Sequence, residues 1–252
     1  MCGKKTNDGF GSKGGEDFAV ISEPIKCLDH GYVRLVDSMG GDLSIVRAAR
    51  VSYDAAWRAG EDTGSDERLI RYLWKHHHTT PIEAVTLTFE VKAPIFVFRQ
   101  WHRHRTWSIN ELSARYRELP EEFYVPDPAT VGVQSTSSKQ ARVMDSVTSA
   151  RRFSLESQID AIKSHNTKSF ALYRTLLANS WPRELARSIL PVGTYSHMFA
   201  TVNLLNLMKF LTLRTDAHAQ YEIRVYADAM AELATAVAPV AMKAWKETTN
   251  DA

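Results

Sequence analysis

Val85, Leu87, Phe89 and Val91 alternate with Thr86, Thr88 and Glu90. Period-two alternation sends apolar side chains to one side of an extended chain and polar ones to the other. Residues 85–91 are therefore expected to form a strand with one buried and one polar face. Such a strand needs a sheet covered on one side, and the remaining sequence supplies the cover. Leu69, Ile70 and Leu73 share one face of a helix expected from Asp66 to His76. Asp42 is placed to cap a helix through residues 43–49. Pro94 suits the first turn of a short helix that turns Ile95, Phe98 and Trp101 inward and ends near His102. Residues 32–36 and 194–202 read as further strands, and 203–214 and 219–237 as helices with buried faces. The stretch 138–179 reads as helical, in two segments meeting near His165 and Asn166. Pro182 opens another helix through Ala186 and Ile189. Trp57, Trp181 and Trp245 read as packing residues. The expected class is α+β: a single domain with a mixed or antiparallel sheet and long helices.

Residues 1–24, with Gly3, Gly9, Gly11, Gly14 and Gly15 among scattered charges, read as a flexible tail, and 25–252 as the domain. A chain of 252 residues buries enough surface to need no covalent staple. Its formal net charge of +2 argues against a nucleic-acid polymer as partner. Cys2 and Cys27 make neither a disulfide framework nor a cysteine zinc site, so a reducing cytoplasm is the expected setting. Apolar runs such as 93–98 are too short to span a bilayer, and the first residues lack the apolar core of a secretion signal. No membrane partner is expected.

The positive charge is concentrated. Arg103, Arg105 and Arg115 fall within thirteen residues, among Trp101, Trp107 and Tyr116. A guanidinium is a permanently charged planar fork that matches phosphate. In an extended chain Arg103 and Arg105 project to one side and His104 to the other, so one backbone serves two ligands. Asn110 and Glu111 add an amide and a carboxylate suited to a heterocycle or a ribose. Ser113 lies near Arg115, a pairing common at phosphate sites. The alternative is a solvated basic loop, and the aromatics favour a partly buried site instead. Ser113 as a nucleophile ranks lower, because no histidine–carboxylate relay accompanies it.

Two other clusters have simpler readings. His76, His77 and His78 are adjacent at a helix end and so point in different directions, whereas a metal centre needs converging ligands. No metal is expected there, and histidines at that end suit the helix dipole. Arg214, His218 and Glu222 are spaced to share one helix face, as a salt-bridged stripe or as part of a site.

Residues 103–115 read R-H-R-x-x-S-x-N-E-x-S-x-R, and in this the chain resembles the flavin-dependent thymidylate synthases. Residues 75–81 (KHHHTTP), Phe98-Arg99-Gln100-Trp101 and 213–220 (LRTDAHAQ) look like the same family, and the likeness runs from about residue 25 to 240. The resemblance implies an enzyme that methylates dUMP to dTMP without a cysteine nucleophile. It implies FAD as cofactor, methylenetetrahydrofolate as carbon donor and NADPH as the flavin's reductant. It also implies a homotetramer with active sites between subunits. Gln100, Arg103, Glu111, Ser113, Arg115, Arg187 and Arg214 match dUMP-binding positions. Ser52, Thr80, Glu83, Arg103, His104, Arg105, Asn110, Glu111, Asn203 and His218 match FAD positions, and His78 matches a histidine beside the flavin and folate. Arg214 matches the catalytic arginine, which stabilises negative charge on the pyrimidine as N3 loses its proton. Three positions depart from the common pattern: Leu205 and Lys209, both among flavin contacts, and Ala84 after Glu83.

Overall fold

The computed structural model describes residues 22–137, 139, 142–143 and 149–250. Residues 1–21, most of the expected tail, lie outside the described residues. In chain order the first elements are β1 (Ile25–Cys27), β2 (Gly31–Met39), α1 (Asp42–Arg50), α2 (Thr63–Lys75) and β3 (Thr86–Pro94). Next come α3 (Ile95–Trp101), β4 (Ser108–Glu111), β5 (Val133–Gln134), β6 (Arg142–Val143) and α4 (Ser149–Ala178). The last are α5 (Arg183–Ala186), β7 (Tyr195–Asn203), α6 (Leu204–Arg214), α7 (Tyr221–Val237) and α8 (Pro239–Asn250).

The main sheet is five-stranded, in the order β1-β2-β3-β7-β4, with antiparallel neighbours throughout. The alternation in β3 is what builds it. Leu87, Phe89 and Val91 stand opposite Val202, Ala200 and Met198 of β7, and all six are buried. Val33 and Leu35 of β2 extend the same apolar face. Helices α6 and α7 contribute Leu207, Phe210, Leu211, Ile223, Tyr226 and Met230 to that core. Burying each such side chain contributes about 1.5–3 kcal/mol. At Gly31 helix α7 approaches the sheet closely. A Cβ there would stand 1.9 Å from the Tyr226 hydroxyl, which donates to the Lys92 carbonyl at 3.0 Å.

Several local expectations change. Strand β2 runs on to Met39, past a bulge between Leu35 and Asp37 that breaks the alternation visible in the sequence. Asp42 does not cap α1; Gly41 is its N-cap, and the Gly41 amide donates to Ser44 Oγ at 3.2 Å. Asp42 instead accepts from the amides of Val240 and Ala241, at 2.9 and 3.0 Å, in the first turn of α8. It thus caps a helix 198 residues further along the chain. Helix α2 starts at Thr63, because Asp62 accepts from the Ser65 amide at 3.0 Å. Asp66 lies inside that helix, buried and paired with Arg50. The inward residues of α3 are Val97, Phe98 and Trp101, with Ile95 only half-buried.

Helix α4 is a single run of 30 residues rather than two segments. It contains neither proline nor glycine, and His165-Asn166 is too weak a signal to break a helix. Arg214, His218 and Glu222 do not share a helix face. α6 stops at Arg214, Asp216 accepts from the His218 amide at 2.7 Å, and the helix resumes only at Tyr221. Glu222 turns inward, where Arg142 donates twice at 3.0 Å and Tyr124 donates at 3.1 Å. Trp245 is buried, as expected, but Trp57 and Trp181 are 73% and 50% exposed in the single chain.

The sheet's other face is polar and carries one charged knot. Glu90 accepts from the Tyr32 hydroxyl at 2.9 Å, lies 2.7 Å from His197 Nε2, and is paired with Arg34. Burial alone would raise the Glu90 carboxyl; the bonds from Tyr32, His197 and Arg34 outweigh it and hold the pKa below the ordinary 4.5. A carboxyl with a depressed folded pKa contributes stability that is complete above its unfolded value and is lost as pH falls through the folded one. The wild-type protein is therefore expected to lose stability as pH drops below about 4.5, and Glu90→Gln to show a flatter acid limb. Denaturation midpoints between neutral pH and pH 3 check this; parallel acid limbs for the two proteins would contradict it.

Candidate active site

The signature begins where α3 ends. His102 is the C-cap of α3, and the chain turns tightly: the Arg103 amide bonds to the Gln100 carbonyl at 3.3 Å and the His104 amide to the Trp101 carbonyl at 2.9 Å. Residues 103–105 are thus not extended, and the opposed projection of Arg103 and His104 does not arise. Under this turn lies an aromatic platform. The Phe210 ring sits 4.8 Å from Trp101 and 5.3 Å from Trp107, and both tryptophans are buried. The His104 ring meets Phe210 edge-on at 4.9 Å. From there His104 Nε2 accepts a hydrogen bond from Arg214 Nε at 3.0 Å. Accepting requires the neutral ring. Burial, and then the charge of Arg214, hold the His104 pKa below the usual 6.5. The Gln100 and Gln220 amides are bonded to each other.

Strand β4 separates two sets of side chains. Ser108 and Asn110 stand opposite Thr201 and Phe199, on the polar face that also carries Asn203 of β7. Asn203 caps α6 through its carbonyl, accepting from the Asn206 amide at 2.9 Å, and its amide group reaches Glu83 at 3.4 Å. Thr80 and Glu83 share the 3-10 turn Thr80–Ala84. Glu111, next along β4, points the other way, as strand geometry demands. It lies in a cavity of about 410 Å³ with Arg99, His102, Arg187, Ser188 and Ser196. Ser196 donates to Glu111 Oε1 at 2.7 Å, and His102 Nε2 lies 3.9 Å from Oε2. One backbone does face two ways, but at residues 110 and 111 rather than at 103–105.

The remaining positions are more scattered. Ser113 Oγ accepts from the Arg115 amide at 3.3 Å, and Arg115 pairs with Glu184 at 3.4 Å. His78 is exposed, with its ring 5.9 Å from Tyr72. Ser52 lies on the exposed 3-10 turn Val51–Tyr53, and His218 is exposed beside Asp216 at 2.9 Å. Arg103 and Arg105 are exposed too. Leu205 is buried in the core, whereas Lys209 faces solvent. Arg99, Ser188 and Ser196 line the cavity without having been expected there. Ser196 did leave a trace in the sequence: it occupies an inward position of β7, two residues before Met198, where the alternation calls for an apolar side chain.

The family described as Thymidylate synthase complementing protein matches residues 34–240, from β2 to the start of α8. The chain belongs to the flavin-dependent thymidylate synthase family. A flavin-dependent thymidylate synthase of Wolbachia pipientis is 43% identical over 231 residues, covering 91% of this chain and 78% of the relative. That of Thermosipho africanus is 46% identical over 202 residues, covering 80% and 85%. Among solved structures, the UMP/dUMP methylase PolB of Streptomyces cacaoi, bound with 5-Br dUMP, is similar with a TM-score of 0.76 at 39% identity. It covers 88% of this chain and 97% of that one. As a member of the flavin-dependent thymidylate synthases, the chain carries the signature, the cavity and the α6–α7 junction within the matched region.

Proposed function

We propose that this chain methylates dUMP to dTMP, with FAD as its flavin, methylenetetrahydrofolate as carbon donor and NADPH as reductant. The observation that carries this reading is the cavity that joins Glu111 to Arg187, close to the signature turn where His104 holds Arg214. The side chains present fit a flavin dinucleotide. Asn110, Asn203, Thr80 and Glu83 offer amides, a hydroxyl and a carboxylate toward the polar face, and exposed Arg103 and Arg105 offer charge for a diphosphate. Ser52 and His218 would add contacts at its rim, and His78 would lie beside the flavin and the folate. Bound and reduced, the flavin supplies the hydride that completes the methyl group.

The chain's own residues do the rest. Ser113, Arg115 and Arg187 hold the dUMP phosphate, and Gln100, Arg103 and Glu111 orient the nucleoside. Arg214 places a fixed positive charge against the pyrimidine, making C5 nucleophilic as N3 loses its proton. No thiol takes part in this scheme. Cys27 is buried, and burial followed by the nearby Asp228 pushes its thiol up to about 12, which keeps it protonated. Arg103, Arg105, Asn110, Arg115, Arg187 and His218 are all exposed in the single chain, whereas ligand sites bury most of their ligand's surface. That exposure supports a homotetramer in which neighbouring subunits close the site. Among the described residues no helix is long and apolar enough to cross a membrane, and the cytoplasm is the proposed location.

The test is an absorption spectrum of the protein with added FAD, taken anaerobically before and after NADPH in the presence of dUMP. A dTMP assay with methylenetetrahydrofolate follows, with UMP run in parallel. Bleached flavin bands and dTMP formation are expected. Failure to bind FAD, or bleaching without dTMP, would overturn the assignment.

A further inference from the structure

Glu111 is a flexible carboxylate at the end of a strand, in a cavity that also holds two arginines. Its conformation there needs a cause. Strand register supplies a neighbour: Glu111 stands opposite Met198, and Ser196 lies two residues along β7 on the same face. This diagonal lies within reach of longer side chains. The Ser196 residue is only 5% exposed, and its hydroxyl donates to Glu111 Oε1 at 2.7 Å. The backbone is pinned at the same place, where the Leu112 amide donates to the His197 carbonyl at 2.7 Å. Glu111 Oε2 is left toward the cavity, 3.9 Å from His102 Nε2. Arg99 and Arg187 line that cavity without an ion-pair partner among the described residues. A freely rotating Glu111 would be drawn onto one of them, because opposite charges in a partly desolvated cleft attract more strongly than in water.

We propose that Ser196 is a positioning residue: it holds the Glu111 carboxylate apart from the cavity arginines, so that both remain available to the nucleotide. This rests on the reading of Glu111 as a dUMP contact. One hydroxyl proton, donated to one carboxylate oxygen, orients the other oxygen toward the ligand. Space for a small addition exists at this position, since Ser196 also borders a second cavity of about 220 Å³ with Leu112 and His197.

The experiment is steady-state dTMP formation by the full-length, FAD-loaded enzyme with dUMP varied, for wild type, Ser196→Ala, Ser196→Thr and Glu111→Gln. Ser196→Ala is expected to raise the dUMP KM roughly tenfold, the loss of one charge-assisted hydrogen bond, with kcat within about twofold. Flavin content and thermal midpoint should match wild type. Ser196→Thr keeps the hydroxyl and should return KM to within about twofold of wild type. An unchanged KM in Ser196→Ala alongside a raised KM in Glu111→Gln would overturn the positioning role and leave the dUMP site standing. A KM rise shared by Ser196→Thr, or one accompanied by flavin loss, would make Ser196 a packing residue and equally overturn it. An unchanged KM in Glu111→Gln would remove Glu111 from the dUMP site and with it the role of Ser196.

Discussion

Arg214→Ala is expected to retain its flavin and to lose dTMP formation by about 2–4 kcal/mol of transition-state stabilisation, roughly thirtyfold to a thousandfold. Arg214 is the last residue of helix α6. Its Nε is committed to His104 Nε2 at 3.0 Å, which fixes the plane of the guanidinium and leaves the two terminal nitrogens for a ligand. His104 can accept this bond only while neutral, and burial together with the charge of Arg214 favours that state. Burial also lowers the Arg214 pKa, but an arginine remains charged at any working pH. In the proposed role the residue acts by a fixed field and not by carrying a proton. Arg214→Lys should rescue poorly, since an ammonium has no Nε to bond to His104 and no planar fork. Single-turnover dTMP formation with flavin content measured in parallel decides the matter. Full turnover in Arg214→Ala would remove the residue from the chemistry.

Phe210→Ala is expected to cost about 3–5 kcal/mol of folding stability, the usual penalty for emptying a large aromatic site. The Phe210 ring is fully buried, and it backs Trp101, Trp107 and His104 at once, with ring centres 4.8, 5.3 and 4.9 Å away. Those neighbours sit on α3 and the turn after it, which cannot collapse into the void without moving the signature. Activity should fall together with stability, because the ring that orients Arg214 loses its support. Phe210→Leu refills most of the volume and should cost less, on the order of 1 kcal/mol. Urea unfolding of the three proteins measures the difference. A loss below about 1 kcal/mol for Phe210→Ala would show that the platform can collapse around the gap.

The alternation at residues 85–91 specified a sheet with one apolar face, and the spacing of residues 103–115 specified the family, because both are local patterns of side-chain type. The α6–α7 stretch was legible as helical for the same reason, with boundaries correct to a few residues. Contacts between residues distant in the chain were set by the fold and not by any local pattern. Asp42 caps α8 and not the helix beside it, since a carboxylate bonds to whichever free amides the fold brings near. Glu222 left the helix face that its spacing shares with Arg214 because the helix stops at Arg214 and resumes at Tyr221, with Glu222 turned inward toward Arg142. Ser196 became a neighbour of Glu111 through the register of β4 on β7, which no local pattern encodes. Strand register and helix packing are set by the global fit of apolar surfaces, and polar contacts across 85 or more residues follow from that fit.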